Sequence, residues 1–333
     1  MSCIASSAGA TVRLPPGPRC RTVGPVRGSA GLIGSFLGSV RVPHARRGFG
    51  LCFAPRDATA ALPFSAMTRV ALLGGGKMGA ALLGGLLDGA WEPDQLAIAE
   101  IDVDRRRDLE QQFPKVRVVP SAAWAVADAE VAIVAVKPND VGATLESALT
   151  ALAEDALVVS IAAGVTIQTL EEHAPGRPVV RAMPNTPALV GLGASAISGG
   201  THATEEHLEL AERLLGSVGI VVRVGEVSLD AVTGLSGSGP AYVMVVAEAL
   251  AEAGVLVGLP RPIATQLVAQ TLLGSATLLA QSDDGPEALR AAVTSPGGTT
   301  AAGLRELEAR GVRAAFLDAV VAATRRSREL GSQ

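Results

Sequence analysis

Residues 69–79, Arg69-Val70-Ala71-Leu72-Leu73-Gly74-Gly75-Gly76-Lys77-Met78-Gly79, join a short aliphatic run to glycines spaced G-x-G-x-x-G. The apolar stretch Ala80-Ala81-Leu82-Leu83 follows at once. The order strand, glycine loop, helix is the context in which this spacing means a dinucleotide site. The first glycine makes a tight turn, the second lets the backbone approach a pyrophosphate, and the third lets helix press on strand. A helix that starts there presents unpaired N–H groups and a partial positive charge to the phosphates.

Outward from this loop the sequence alternates between strand and helix patterns. Val70–Leu73, Leu96–Ala99, Val131–Val136, Leu157–Ile161, Val179–Met183, Ala194–Ile197 and Ile220–Val224 read as strands. Met78–Asp88, Asp104–Gln112 and Pro138–Leu152 read as helices. The unbroken apolar run 131–136 is what a strand covered on both faces looks like. Alternation of this kind predicts an α/β fold, a doubly wound and mainly parallel sheet of Rossmann type with right-handed crossovers. After about Val227 the pattern becomes helical only. Ala241–Ala253 and Ile263–Gln281 are apolar on more than one face and so need cover. A second subunit is the expected cover, packing on the N-terminal domain the alternative. The expected division is an extension over 1–66, a nucleotide domain over 67–227, and an all-α dimerisation and substrate domain over 228–333.

Composition narrows the function. The 333 residues are 48% hydrophobic with a net charge of −4. The first 66 carry eight arginines, one acid and all three cysteines, for a charge of +7, which leaves −11 on the rest. The folded part therefore offers no support for nucleic-acid binding, and it has no thiol for a disulfide framework or a thiolate metal site. The Arg-rich, acid-poor extension is either a targeting segment or an artefactual or disordered lead ahead of Met67. Gly31–Val40 is too short to span a bilayer, and Ala241–Val257 is interrupted by Glu248 and Glu252. The sequence reading is thus no membrane span and a cytoplasmic location, or an organellar one if the extension targets. No HExxH, G-x-S-x-G or paired-carboxylate spacing occurs, so hydrolase and metal chemistry have no footing.

Further loops mark the ligand edge. Ala135-Val136-Lys137-Pro138 ends the 131–136 strand, where Lys137 is either a solvated loop lysine or a cofactor contact. Ala162-Ala163-Gly164 ends the next strand with residues small enough for a flat ring to approach the backbone. Met183-Pro184-Asn185-Thr186-Pro187 is a stiffened loop or a mere turn. Gly237-Ser238-Gly239-Pro240 and Ser295-Pro296-Gly297-Gly298-Thr299-Thr300 each precede a helix with glycines and hydroxyls, a nest of N–H groups suited to a carboxylate. No lysine follows Lys137, which removes the late lysine a β-hydroxyacid dehydrogenase needs. A protonated cyclic imine fits a site with so little acid–base equipment, since orientation and hydride delivery suffice. Glu100, 21 residues past Gly79, is placed to hold the ribose 2′-OH of NADH, whereas Arg105, Arg106 and Arg107 offer cations for a 2′-phosphate.

Taken together, the glycine loop, Ala-Val-Lys-Pro at 135–138, Ala-Ala-Gly-Val-Thr-Ile at 162–167, the 183–187 loop, Asp230–Tyr242 and Ser295–Thr300 resemble pyrroline-5-carboxylate reductases over roughly 68–330. The resemblance implies hydride transfer from NADPH, with NADH as the alternative, to the imine carbon of 1-pyrroline-5-carboxylate, giving L-proline. It places the cofactor on Leu73, Gly74, Gly75, Gly76, Lys77 and Met78, on Ala135, Val136, Lys137 and Pro138, and on Ala162 and Ala163. It places substrate against Ser238, Ser295, Gly297, Gly298, Thr299 and Thr300, with Ser295 and Thr300 as the catalytic pair and Thr300 nearest the ring nitrogen. It further implies a domain-swapped homodimer, in many cases assembled to a decamer, with the pocket between subunits. Two departures stand out. The extension lies outside the family pattern, and Ala122 stands where that pattern has an asparagine beside the adenosine. The competing readings are another two-domain NAD(P)-dependent dehydrogenase and a non-catalytic nucleotide sensor.

Overall fold

A computed structural model describes residues 68–331; the expected extension over 1–66 lies outside the described residues. Strands β1 Val70–Leu73, β2 Leu96–Ala99, β3 Arg117–Val119, β4 Val131–Val134, β5 Leu157–Ser160, β6 Val179–Met183, β7 Gly193–Gly199 and β8 Gly219–Arg223 form one sheet in the order β3-β2-β1-β4-β5-β6-β7-β8. Helices α1 Lys77–Asp88, α2 Val103–Gln112, α3 Ala122–Val126, α4 Val141–Leu149, α5 Ile167–His173 and α6 Glu205–Gly216 are interleaved with the strands. The first strand sits inside the sheet, flanked by β2 and β4, so the chain order reverses beside the glycine loop. This is the switch point at which a doubly wound sheet opens a crevice.

The strand side chains alternate between two cores. Val70 and Leu72 join Leu82, Leu83 and Leu86 of α1 and Leu214 of α6 on one face. Ala71 and Leu73 join Val126 of α3, Leu145 of α4 and Leu170 of α5 on the other. Small alanines at 71, 97, 99 and 132 on the second face let helices sit close to the sheet.

One detail the sequence reading left open and two differences from it have plain causes. β7 runs antiparallel to β6, with Met183 opposite Ala196. The connection between them is only 184–192, too short for the crossover that a parallel neighbour demands. The expected helix 138–152 begins as a tight turn at Pro138–Asp140 and is regular only over α4. The 131–136 strand stops at Val134, where Ala135 turns out toward the crevice.

Among the described residues no strand follows Arg223. A four-residue helix α7 Leu229–Val232 leads into one wide π-helical turn, Thr233–Gly237. Then come α8 Gly239–Leu256, α9 Arg261–Gln281, α10 Pro286–Ala292, α11 Thr299–Ala309 and α12 Val312–Gly331. α12 returns to the base of this region. Ser327 donates to Asp230 Oδ1 at 2.7 Å, and Thr324 fills the space where a Cβ on Gly234 would stand. In contrast, α8 and α9 lean mainly on each other. Ala251 and Ala264 are their buried residues, while Met244, Val245, Leu250, Leu267, Leu273 and Leu278 face outward. The expectation that no segment is long and apolar enough to span a bilayer is corrected here. Glu226–Leu256 and Arg261–Gln281 both pass on length and composition, the latter because it bears no charge after Arg261.

One buried ion pair ties the sheet to the first helical turns. Arg181 on β6, 7% exposed, donates to Glu226 Oε1 at 2.9 Å, and the same oxygen accepts the Ile167 N–H of α5. Glu226→Leu is expected to leave a desolvated guanidinium unpaired. Urea unfolding should then show a loss of about 2–3 kcal/mol, somewhat below a fully buried case because Glu226 is partly wet. A loss well under that range would show that Arg181 finds water instead.

Candidate active site

The glycine loop is shaped by three different constraints. Gly74 has φ +112°, and its N–H donates to Ala99 O at 2.9 Å; a Cβ there would stand 2.7 Å from Ala135 O. A Cβ on Gly79 would lie 2.1 Å from Gly74 O, so only glycine lets α1 rise this close to the turn. Gly76 differs from both. Its backbone is ordinary, with φ −62° and ψ −175°, and nothing lies within 4 Å of a Cβ placed on it. The empty space in front of Gly76 is the approach that a diphosphate requires. Gly76 is also the N-cap of α1, whose first turn carries no side-chain cap and no acid to compete with an anion. The residues fit a dinucleotide.

The crevice beyond this loop is a cavity of about 630 Å³. Leu73, Gly74, Gly76, Glu100, Ala135, Val136 and Lys137 line it, as does Ala122. Gly75 sits behind the loop, its N–H donating to Glu100 Oε2 at 2.9 Å and its carbonyl accepting Arg105 Nε at 2.7 Å. Lys77 lines a separate groove with Arg105 and Phe113, and Met78 packs on the core, so neither side chain lines the crevice. Their part in any ligand contact is backbone. Pro138 opens the turn before α4. Ala162 and Ala163 follow β5, one strand beyond β4, at the same carboxyl edge of the sheet.

Ser238 reaches this edge through a contact the sequence did not announce. Asn185, past the end of β6, is buried; its Nδ2 donates to Ser236 O at 3.0 Å and its Oδ1 accepts the Ala194 N–H at 2.8 Å. The Met183 methyl abuts Gly237 so closely that a Cβ there would sit 2.7 Å away. The wide turn 233–237 lets Ser238 donate its N–H to Thr233 O and brings Ser238 in beside β6 before α8 begins. The sequence signal for Asn185 was only a pair of flanking prolines, too generic to assign a partner.

The 295–300 loop stands apart. Within it the Gly298 N–H donates to Ser295 O at 3.0 Å, and Gly297 turns at φ +68°. Ser295, Thr299 and Thr300 are exposed, and no residue of the loop lines the 630 Å³ crevice. Within one chain, then, the glycine loop, 135–138, 162–163 and Ser238 come to one sheet edge, and 295–300 does not join them.

Comparison with known proteins accounts for both halves. The family described as NADP oxidoreductase coenzyme F420-dependent matches residues 69–164, and the one described as pyrroline-5-carboxylate reductase dimerisation matches 226–330. A pyrroline-5-carboxylate reductase of Synechocystis is 44% identical over 266 residues, spanning 80% of this chain and 99% of its own. The structure of the Coxiella burnetii enzyme superposes with a TM-score of 0.75 at 32% identity, covering 79% of this chain and 98% of that one. That of the Plasmodium falciparum enzyme, solved with NADP bound, gives 0.71 at 30% identity over 80% and 100%. With its glycine crevice and its helical end each matched in this way, the chain belongs to the pyrroline-5-carboxylate reductase family.

Proposed function

We propose that this chain reduces 1-pyrroline-5-carboxylate to L-proline with NAD(P)H, and that it works as a homodimer or a larger assembly of dimers in the cytoplasm. The observation that carries the reading is the open face of Gly76 between two glycines that admit no side chain. Family membership supplies the substrate.

When bound, NAD(P)H supplies the hydride. The chain's own residues do the rest. Gly76, with the first N–H groups of α1 from Lys77 and Met78, holds the diphosphate over the turn that Gly74 and Gly75 make. Leu73, Ala135 and Val136 wall the crevice, and Ala162 and Ala163 leave room for a flat ring at its far end. Ser238 and the 295–300 nest grip the substrate carboxylate with N–H and hydroxyl donors. Thr300 lies at the ring nitrogen and Ser295 braces that loop. The imine enters protonated, so hydride addition at the C=N carbon leaves a neutral secondary amine and requires no acid from the protein. Residues 67–227 form the nucleotide domain and 228–333 the helical one. A second copy covers α8 and α9 and brings its own 295–300 loop to the crevice. This account explains why five of those six residues lie exposed in a single chain.

Thr300→Ala separates this reading from a nucleotide sensor. Its kcat/KM on the imine is expected to fall about 10- to 100-fold, while the dinucleotide Kd moves by less than about threefold. Turnover equal to that of the unaltered chain would refute the substrate assignment, and a 3-hydroxy acid oxidised faster than the imine is reduced would install the dehydrogenase reading instead.

A further inference from the structure

We infer that the adenosine end of the crevice is built for NADH and against NADPH, with Glu100 and Asp102 as the discriminating residues; this rests on the dinucleotide reading of the Gly74–Gly79 loop. Glu100 closes β2. Its Oε2 accepts the Gly75 N–H and its Oε1 accepts the Asp102 N–H, both at 2.9 Å. These two bonds lock the carboxylate at the rim of the cavity and leave it lone pairs for a ribose hydroxyl. Asp102 lines the same rim and is held there as the N-cap of α2, accepting the Arg105 N–H at 2.7 Å. A 2′-hydroxyl finds acceptors here. A 2′-phosphate, itself carrying more than one negative charge, finds like charge.

The three arginines that could reverse this are occupied. Arg105 bonds Gly75 O through Nε and lines the groove behind the loop. Arg106 NH1 donates to the carbonyls of Glu100 and Ile101, both at 2.8 Å, so it fastens the turn that presents the acids. Arg107 pairs with Asp104 at 3.1 Å on the exposed side of α2. Lys137 also lines the cavity, but it follows β4, two strands across from β2, about 10 Å away by strand spacing. Phosphate recognition at this position calls for a free guanidinium fork, and the rim supplies carboxylates.

The test is calorimetric titration of the full chain with NAD+ and with NADP+, which reads binding without turnover. NAD+ is expected to bind about tenfold or more tightly than NADP+ at low salt, with the gap narrowing as ionic strength rises toward about 0.5 M. Ile101, 87% exposed at the rim, is a site where a cation can be added without repacking. Ile101→Arg should shrink the NADP+/NAD+ ratio of Kd values by about tenfold or more. NADP+ binding as tight as NAD+ in the unaltered chain would overturn the preference, and a ratio unmoved by Ile101→Arg would overturn the placement of the 2′ position. Failure of both nucleotides to bind would instead overturn the dinucleotide site itself.

Discussion

Gly76→Val is expected to fold and to lose dinucleotide affinity by about 100-fold or more, roughly the worth of two charge-assisted hydrogen bonds to phosphate. The two expectations come from the same empty space. With φ −62° and ψ −175° the backbone at Gly76 suits any residue, and no atom lies within 4 Å of the added Cβ. The cost to the fold is the poorer N-cap that valine makes, about 1 kcal/mol, which in a chain of this size moves Tm by only a few degrees. The cost to the ligand is steric, because the branched side chain stands where the diphosphate must approach. Gly79→Val is the opposite control. Its Cβ would press to 2.1 Å from Gly74 O, so the strand–helix junction itself should fail and Tm should fall far more. If Gly76→Val bound NAD+ as the unaltered chain does, the crevice would not be the nucleotide site, whatever the family resemblance. Circular dichroism and calorimetry on the two variants decide the matter without any activity assay.

The contrast between Gly76 and Gly79 also measures how far sequence reading went. Spacing alone located β1, the loop and α1, because Gly74 and Gly79 are each forced by a backbone clash while Gly76 keeps open the approach a diphosphate needs. β3 was missed because three residues at a sheet edge, Arg117–Val119, carry no alternation, and the five-residue α3 has too few turns to show a period. The strand at 194–197 was legible, but its antiparallel direction was left open because pairing direction depends on the length of the 184–192 connection rather than on the strand's own residues. At Glu100 the residue type left two coenzymes open. Only the hydrogen bonds that occupy Arg105 and Arg106 weigh between them, and these depend on how α2 is seated against the loop. Asn185 shows the same limit from the other side. Its partners, Ser236 and Ala194, lie 51 and 9 residues away, and nothing local to Met183–Pro187 announces them. The 295–300 loop reads as an anion nest, but on the proposed dimer its position against the crevice is set by two chains and so by neither sequence nor single-chain packing.

That last point makes the second large prediction one about assembly. Leu267 and Leu278 on α9 are each about half exposed and stand eleven residues apart, three helical turns, hence on one face. Covered by a second copy, each half-exposed leucine contributes about 1 kcal/mol, and an arginine in its place adds the cost of an unpaired charge in the contact. Two such changes, doubled by symmetry, exceed what a subunit interface of ordinary strength can absorb. Leu267→Arg/Leu278→Arg is therefore expected to shift light scattering to the monomer mass. Imine reduction at sub-micromolar protein should fall about 100-fold or more, because the 295–300 loop no longer meets a crevice. NAD+ affinity should stay within about threefold, since Gly74, Gly76, Glu100 and Val136 belong to one chain, and that retained binding also certifies the fold. Two outcomes would sink the idea. An unchanged mass would remove α9 from the interface, and a variant that is monomeric yet fully active would place the whole substrate site within a single subunit. A third arm addresses the other environment that apolar helices of this length suit. If the unaltered chain partitions into lipid vesicles that the double arginine variant leaves alone, the cover for α8 and α9 is a bilayer rather than a second copy. Gln266 and Gln270 on α9 argue against that, because each would face hydrocarbon without a partner, whereas a protein interface can hydrogen-bond them.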